Sequence, residues 1–246
     1  MFKKILIKIV GIFGYKLVDK SLVKNQRLLG DDNFFSMNLI LNKIFEKNDI
    51  KCIIQVGAND GKRFDELARF IKKDLYKCIL IEPIPKYFEE LKETFSNLKN
   101  VKFENSVVSH NDEILKLYAV KENYLSYYDE HIKGISSFNI NHLIKHGVKK
   151  KHINEVKVNS IDFKKLISKY NLNNIDLLYV DAEGYDGKVI LDFFINTNFK
   201  PIIIFEYIHI DNLTFKKVLK NLKDKNYLYF TMNENLICFD KNKSFI

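Results

Sequence analysis

The chain has 246 residues, close to the size at which a single hydrophobic core stops growing, so one domain with a short N-terminal appendage is expected and a second full domain is not. Hydrophobic residues at 46% and aromatics at 13% exclude a disordered chain. The net charge of +9 suits an anionic partner such as lipid headgroups or a sugar nucleotide, yet the cations are nearly all lysines scattered through every segment, which reads first as a solvated surface.

Residues 1–15 combine a basic start with an apolar stretch. Lys8 interrupts that stretch and no small-residue cleavage site follows before Asp19, which argues against a signal peptide. A bilayer span takes about 20 apolar residues and this stretch is shorter. Two readings stand: a helix packed on the domain, or an amphipathic helix on a membrane surface, with residues 1–18 making the contact and Lys3, Lys4, Lys8 and Lys16 supplying charge. Cys52, Cys78 and Cys238 each sit in an apolar run, with no Cys-x-x-Cys and no histidine at metal-ligand spacing. They read as buried thiols in a reducing, cytoplasmic compartment, at the inner face of the membrane if the N-terminal helix binds there.

Three prolines and nine glycines leave no flexible linker. Apolar runs at 52–56, 77–81, 101–108, 175–180 and 201–207 alternate with helical patterns at 64–73 and 86–97. Near-continuous hydrophobic strands between helices predict a doubly wound α/β fold with a mostly parallel sheet covered on both faces. Residues 109–174 form an elaborated insertion, with strands at 114–120 and 155–158 and a helix at 161–170. Runs at 226–232 and 235–240 around Asn233-Glu234 predict a closing antiparallel hairpin. The division expected is 1–48 for the appendage and 49–246 for the main domain.

The strongest local signal is Ile53-Ile-Gln-Val-Gly-Ala-Asn-Asp-Gly61, a buried strand entering a glycine turn and then a helix. In a doubly wound fold a nucleotide-like cofactor lies against this first loop and helix N-terminus. Gln55, Gly57, Ala58, Asn59, Asp60 and Gly61 are therefore candidate cofactor contacts, although an ordinary tight turn would look similar. The loop is not Gly-x-Gly-x-x-Gly, so a dinucleotide cradle is poorly supported. Glu82-Pro83 ends the second strand about 20 residues further on, where an acid accepts both hydroxyl hydrogens of a ribose. Ser106 on the third run and Asp181 beyond the fourth strand complete the cofactor set.

Asp181 and Glu183 follow the fourth parallel strand, next to the cofactor cleft. Two acids two residues apart can converge on a substrate hydroxyl or on one divalent metal ion. The plainer reading is that Asp181 caps the next helix and Glu183 orders the loop.

Taken in order, Val56-Gly-Ala-Asn-Asp-Gly61, Glu82-Pro83, Gly134-Ile-Ser-Ser-Phe138, Val180-Asp-Ala-Glu-Gly184 and Phe205-Glu206 resemble the motifs of the FkbM-type methyltransferases. The resemblance implies the seven-stranded, Rossmann-like class I methyltransferase fold, with S-adenosylmethionine as donor. It further implies methyl transfer to an oxygen, usually of a sugar or polyketide-type hydroxyl. The family's glycine loop and ribose acid map onto Gly57, Ala58, Asn59, Gly61 and Glu82, and its Asp-x-Glu-Gly signature onto Asp181, Glu183 and Gly184. Tyr185-Asp186 departs from many relatives, so the substrate does not carry over.

Candidate bases for the hydroxyl proton are Asp181, Glu183, Glu206 and His209, with the first two preferred. Ser136, Ser137 and the stretch 124–128 are candidate sugar contacts. By analogy the acceptor is a surface-polysaccharide precursor, nucleotide- or lipid-linked. No metal ligand is assigned and a metal requirement stays open. A nucleic-acid partner is not expected, because Asp-Ala-Glu-Gly stands where an Asn/Asp-Pro-Pro-aromatic motif would present a flipped base. A non-catalytic scaffold on the same fold is the competing reading.

Overall fold

Ile53, Ile54 and Val56 are apolar without alternation, a pattern that suits only a strand covered on both faces, and the strand they form is buried at every position. The structure, a computed structural model, describes residues 36–63, 65–110 and 114–243. The membrane-surface helix expected at 1–18 lies outside them. The chain divides into two units, Met1–Ile40 and Leu41–Ile246, and the second holds the sheet.

In chain order the elements are α1 (Met37–Lys47), β1 (Cys52–Val56), α2 (Ala68–Ile71), β2 (Lys77–Ile81), α3 (Pro85–Thr94), β3 (Val101–Glu104) and β4 (Val107–Val108). The insertion then adds β5 (Leu115–Val120), α4 (Glu130–Lys133), β6 (Ser136–Ser137), α5 (Ile140–Lys145) and β7 (Ile153–Val158). The chain returns through β8 (Ser160–Ile161), α6 (Phe163–Tyr170), β9 (Leu177–Val180), α7 (Asp186–Asn196), β10 (Ile202–Glu206), α8 (Asn212–Asp224), β11 (Tyr227–Met232) and β12 (Asn235–Asp240).

Seven strands form the main sheet in the order β11-β12-β10-β9-β1-β2-β3. The five from β10 to β3 run parallel, and β12 and β11 close the sheet antiparallel, as the resemblance implied. Gln55 pairs with Leu80 of β2 on one side and Tyr179 of β9 on the other, so β1 lies where the strand order reverses. Ile54, Ile79, Leu178, Phe193 and Phe205 belong to one buried cluster. Each such side chain contributes roughly 1.5–3 kcal/mol on burial.

Three expected elements differ. The helix predicted over 64–73 is reduced to α2, because the Asp65 carboxylate accepts the amides of Leu67 at 2.9 Å and Ala68 at 3.1 Å and starts the helix late. The run 101–108 is two strands. The Asn105 side-chain amide donates to the carbonyls of Glu82 at 2.8 Å and Pro83 at 3.1 Å, and β4 leaves the main sheet to pair with β8. The helix expected from 161 begins at Phe163, where the Asp162 carboxylate caps the Lys165 amide at 2.7 Å.

The insertion builds a separate antiparallel sheet, β6-β5-β7. It has its own apolar cluster of Val120, Ile135, Leu143, Val148 and Ile153. A second cluster joins Leu117, Ala119 and Val158 to Ile84, Tyr87 and Val107.

At the carboxyl end of β1, Gly57 has φ +81° and leaves no room for a side chain. A Cβ placed there would stand 1.8 Å from the carbonyl oxygen of Asp181. Gly57→Ala is therefore expected to destabilise the fold by about 3 kcal/mol or more, beyond the usual range for a single substitution. Urea unfolding checks this, and a loss below about 1 kcal/mol would mean the two strand ends separate easily.

Candidate active site

A cavity of about 500 Å³ opens at the carboxyl ends of β1, β2, β9 and β10, a volume usual for small-molecule sites and the position where open α/β sheets bind ligands. Gln55, Gly57, Ala58, Asn59, Glu82, Pro83, Ser106 and Asp181 line it. Asp60 and Gly61, also expected as cofactor contacts, do not. Asp60 shapes the loop from behind: its carboxylate accepts the amides of Lys62 and Arg63, both at 2.9 Å, and pairs with the Arg63 guanidinium at 2.6 Å. Burial opposes the charge, but these partners outweigh it and hold the carboxyl below its ordinary range. Gly61 faces the core, where a Cβ would lie 2.3 Å from the Phe95 ring.

Glu82 fastens two strand ends together. Its Oε2 accepts the Asn59 amide at 3.0 Å and its Oε1 the Ile84 amide at 2.8 Å. Burial pushes its carboxyl up to about 7 against the pull of those amides. Each oxygen keeps a further lone pair for a ligand hydroxyl. Around it, Gln55 Oε1, Asn59 Oδ1 and Ser106 Oγ are buried without a protein hydrogen-bond partner. Buried polar atoms are normally paired, so this wall fits a polar, nucleoside-like ligand.

β9 ends at Val180, and the Asp181 amide still donates to the Val56 carbonyl at 2.9 Å. The strand does not continue to bring Asp181 and Glu183 to one side. Instead the chain turns through Glu183 at φ +50° and Gly184 at φ +89°. Asp181 does not cap the next helix, whose N-cap position, Tyr185, makes no side-chain cap hydrogen bond. The loop before that helix is ordered by Asp186, which accepts the amides of Ala182 and Gly184, each at 3.1 Å, from a fully buried position. Asp181 is exposed to the open cavity; desolvation by the surrounding cavity walls, then the charges of Glu183 and Glu66, raise its carboxyl to about 7.

Glu183, Glu206 and His209 line the same cavity. Burial, then repulsion from Asp181, pushes Glu206 up to about 9. Burial and the neighbouring His142 lower His209, whose Nε2 stands 3.6 Å from Glu206 Oε1. All four base candidates thus face one space.

Eight of the lining residues are Asp or Glu and a single one, Arg63, is Arg or Lys. In a chain of net charge +9 that reversal favours a cationic ligand group.

The insertion supplies the opposite wall. Gly134 touches the glycine loop, since a Cβ there would lie 2.4 Å from the Asn59 side-chain nitrogen. Ser136 and Phe138 line the cavity, and the Ser137 hydroxyl donates to the Glu183 carbonyl at 3.0 Å. The 124–128 stretch does not line it: the Tyr124 ring stacks on His152 at 3.9 Å and the Tyr128 hydroxyl meets His152 Nδ1 at 2.7 Å.

The expectation that no histidine stands at metal-ligand spacing fails. His142 and His146, four residues apart at the end of α5, meet His209 with one ligand nitrogen of each within 4.8 Å of the others. His142 Nε2 hydrogen-bonds Glu183 Oε2 at 2.9 Å. The His-x-x-x-His spacing was the available signal; His209 is brought in only by the fold.

The sequence model described as the methyltransferase FkbM domain matches residues 55–229, well over half the chain. No curated protein matches. Among solved structures, methyltransferase FkbM from Methylobacillus flagellatus KT is 10% identical, with 78% of this chain and 44% of that one covered and a TM-score of 0.47. Precorrin-6y C5,15-methyltransferase from Geobacter metallireducens GS-15 is 11% identical, with 85% and 93% covered and a TM-score of 0.40. A TehB-like SAM-dependent methyltransferase from Corynebacterium glutamicum is 10% identical, with 91% and 97% covered and a TM-score of 0.41. Likenesses of this degree say nothing about what the chain binds or acts on.

Asp186→Ala orphans two half-buried amides and is expected to cost about 1–3 kcal/mol. Burial raises the Asp186 carboxyl well above its ordinary range, so the folded chain holds that proton more tightly than the unfolded one. Its contribution to stability therefore falls as pH rises above the ordinary carboxyl range. Urea titrations across pH should find this decline flattened in Asp186→Asn; an unchanged slope would mean that the buried group is ionised throughout.

Proposed function

This chain belongs to the FkbM methyltransferase domain family, and from that footing we propose that it moves a methyl group from S-adenosylmethionine to a hydroxyl oxygen of a sugar in a surface-polysaccharide precursor. It is an S-adenosylmethionine-dependent methyltransferase. When bound, the donor supplies a methyl group on a positively charged sulfonium, open to in-line attack by an oxygen. The observation that carries the reading is the acidic cavity in a basic chain, with Glu82 on one side of the glycine loop and Asp181 on the other. In the proposal Glu82 holds the ribose hydroxyls, Gln55, Asn59 and Ser106 complete the polar wall, and Gly57 and Ala58 let the backbone lie close to the donor.

The acceptor half rests on proton chemistry. An attacking hydroxyl must lose its proton, and Asp181, Glu183, Glu206 and His209 share the space where it would sit. Asp181 is the preferred base: its carboxyl near 7 is poised between holding and taking a proton at neutral pH. The gain beyond proton removal comes from holding the two reacting groups in line with water excluded. Glu183, Ser136 and the insertion wall would orient the sugar, which is taken as nucleotide- or lipid-linked.

The methyltransferase domain is taken as 49–246 and the appendage as 1–48, with membrane-surface contact through 1–18. Cys52, Cys78 and Cys238 are free and buried, and burial pushes the first two thiols up to about 11 and about 12; unreactive thiols support a cytoplasmic assignment. No helix among the described residues is long and apolar enough to cross a membrane.

Calorimetric titration should find saturable binding of S-adenosylmethionine and S-adenosylhomocysteine and none of a nicotinamide dinucleotide. Glu82→Ala should weaken binding by about tenfold or more, the loss of a charged hydrogen-bond partner. Labelled methyl should pass to sugar nucleotides and not to RNA, and transfer to RNA would overturn the acceptor assignment. The pH dependence separates charge from shape. Asp181 and Glu82, both near 7, become carboxylates as pH rises and attract the sulfonium but not the neutral thioether. Preference for the sulfonium form should grow by about threefold to tenfold from about pH 6 to 8; a flat ratio would remove these acids from its neighbourhood.

A further inference from the structure

Half of the six histidines of this chain meet at one place. His142 and His146 lie one helical turn apart, which puts them on one side of α5, and His209 follows β10 from the opposite wall. The ring centroids are 4.6 Å apart for His142 and His146, 4.7 Å for His142 and His209, and 5.7 Å for His146 and His209. The planes cross at 49°, 82° and 76°. We propose that His142, His146 and His209 form a binding site for one divalent transition-metal ion of the zinc or cobalt kind, at the edge of the cavity.

Three features support a built site. One nitrogen from each ring lies within 4.8 Å of the other two, against about 3.3 Å between ligands of a tetrahedral zinc with 2.0–2.1 Å bonds. Modest side-chain rotations close that gap. One ring already has a carboxylate hydrogen-bonded to one nitrogen, Glu183 at 2.9 Å from His142, while Glu206 stands 3.6 Å from His209, outside hydrogen-bond reach. A carboxylate in that position orients a metal-binding imidazole and fixes which nitrogen remains free for the ion. His146 and His209 also line the cavity, so a fourth coordination position faces the space where an acceptor would lie. Imidazole donors select zinc, cobalt, nickel or iron over magnesium and calcium, which take oxygen ligands.

The metal site stands on these residues alone. Its role, fixing an acceptor oxygen beside Glu183, rests on the methyl-transfer reading. An ion there would bind a sugar hydroxyl at its open position and hold it toward the donor.

The test uses the full chain without a polyhistidine tag, stripped by chelator and titrated with Zn2+ alone by calorimetry and with Co2+ alone by visible absorption. One Zn2+ per chain and new visible Co2+ bands at one equivalent are expected. The double variant His142→Ala/His146→Ala should lose about a hundredfold or more in Zn2+ affinity, while its affinity for S-adenosylmethionine and its thermal midpoint stay near those of the parent. Equal Zn2+ binding by the double variant would overturn the proposal. If that variant does not fold, the parent protein decides: no Co2+ bands at one equivalent would overturn it. Metal binding without donor binding would sink the methyl-transfer reading and leave the site; donor binding without metal binding would do the reverse.

Discussion

Everything at the working end of this molecule depends on how closely two strand ends approach. The amides of Gly57 and Ala58 both donate to the Ile81 carbonyl at 2.9 and 3.0 Å, while the Val56 carbonyl accepts the Asp181 amide. The end of β1 is therefore gripped from both sides, and only glycine fits at 57. This contact sets where the first loop leaves the sheet, and so where Asn59, Glu82 and Asp181 stand relative to one another. It also explains why the cavity sits where the strand order reverses: β2 and β9 diverge on either side of β1, and a backbone without a side chain leaves the space between them open.

The second constraint is charge. Bringing Glu82, Asp181, Asp186 and Glu206 together at the end of one sheet raises the proton affinity of each, with burial as the largest cause throughout. A cluster so arranged is uncomfortable when fully ionised and eased by a cation. Asp186 takes the structural share, satisfying the turn after β9 with both oxygens. Asp181 is thereby left open to the cavity without a turn to hold. The division of labour between two acids five residues apart follows from the backbone turning at Glu183 and Gly184.

How much of this was legible in the sequence follows from which interactions are local. The strands at 52–56 and 77–81 are apolar at nearly every position, a pattern that only a doubly covered sheet accommodates, and their bounds match. The break after Glu104 was hidden, because it is made by Asn105 reaching back to carbonyls at 82 and 83, a contact no local pattern encodes. The late start of α2 has the same origin on a smaller scale, in Asp65 capping amides two and three residues ahead. At the site, residues on strand ends were readable because their position follows from the strands. Gly61 was assigned to the ligand for its flexibility, whereas it is required by the Phe95 ring behind it. The histidines were missed because only two share a helix, and the third arrives across nearly seventy residues of chain.

The insertion's separate cluster of Val120, Ile135, Leu143, Val148 and Ile153 has a consequence for how such a protein changes over generations. A close-packed floor tolerates almost no alteration, since each change there is felt by both neighbouring strands. The wall opposite has its own small core and meets the floor through the second cluster at Ile84, Tyr87 and Val107 and through contacts such as Gly134 against Asn59 and Ser137 against the Glu183 carbonyl. Substitutions in that wall reshape one side of the cavity while the grip on β1 is untouched. Variation in selectivity and loss of folding are thus assigned to different stretches of the same chain, which lets a lineage explore new acceptors while keeping its methyl donor.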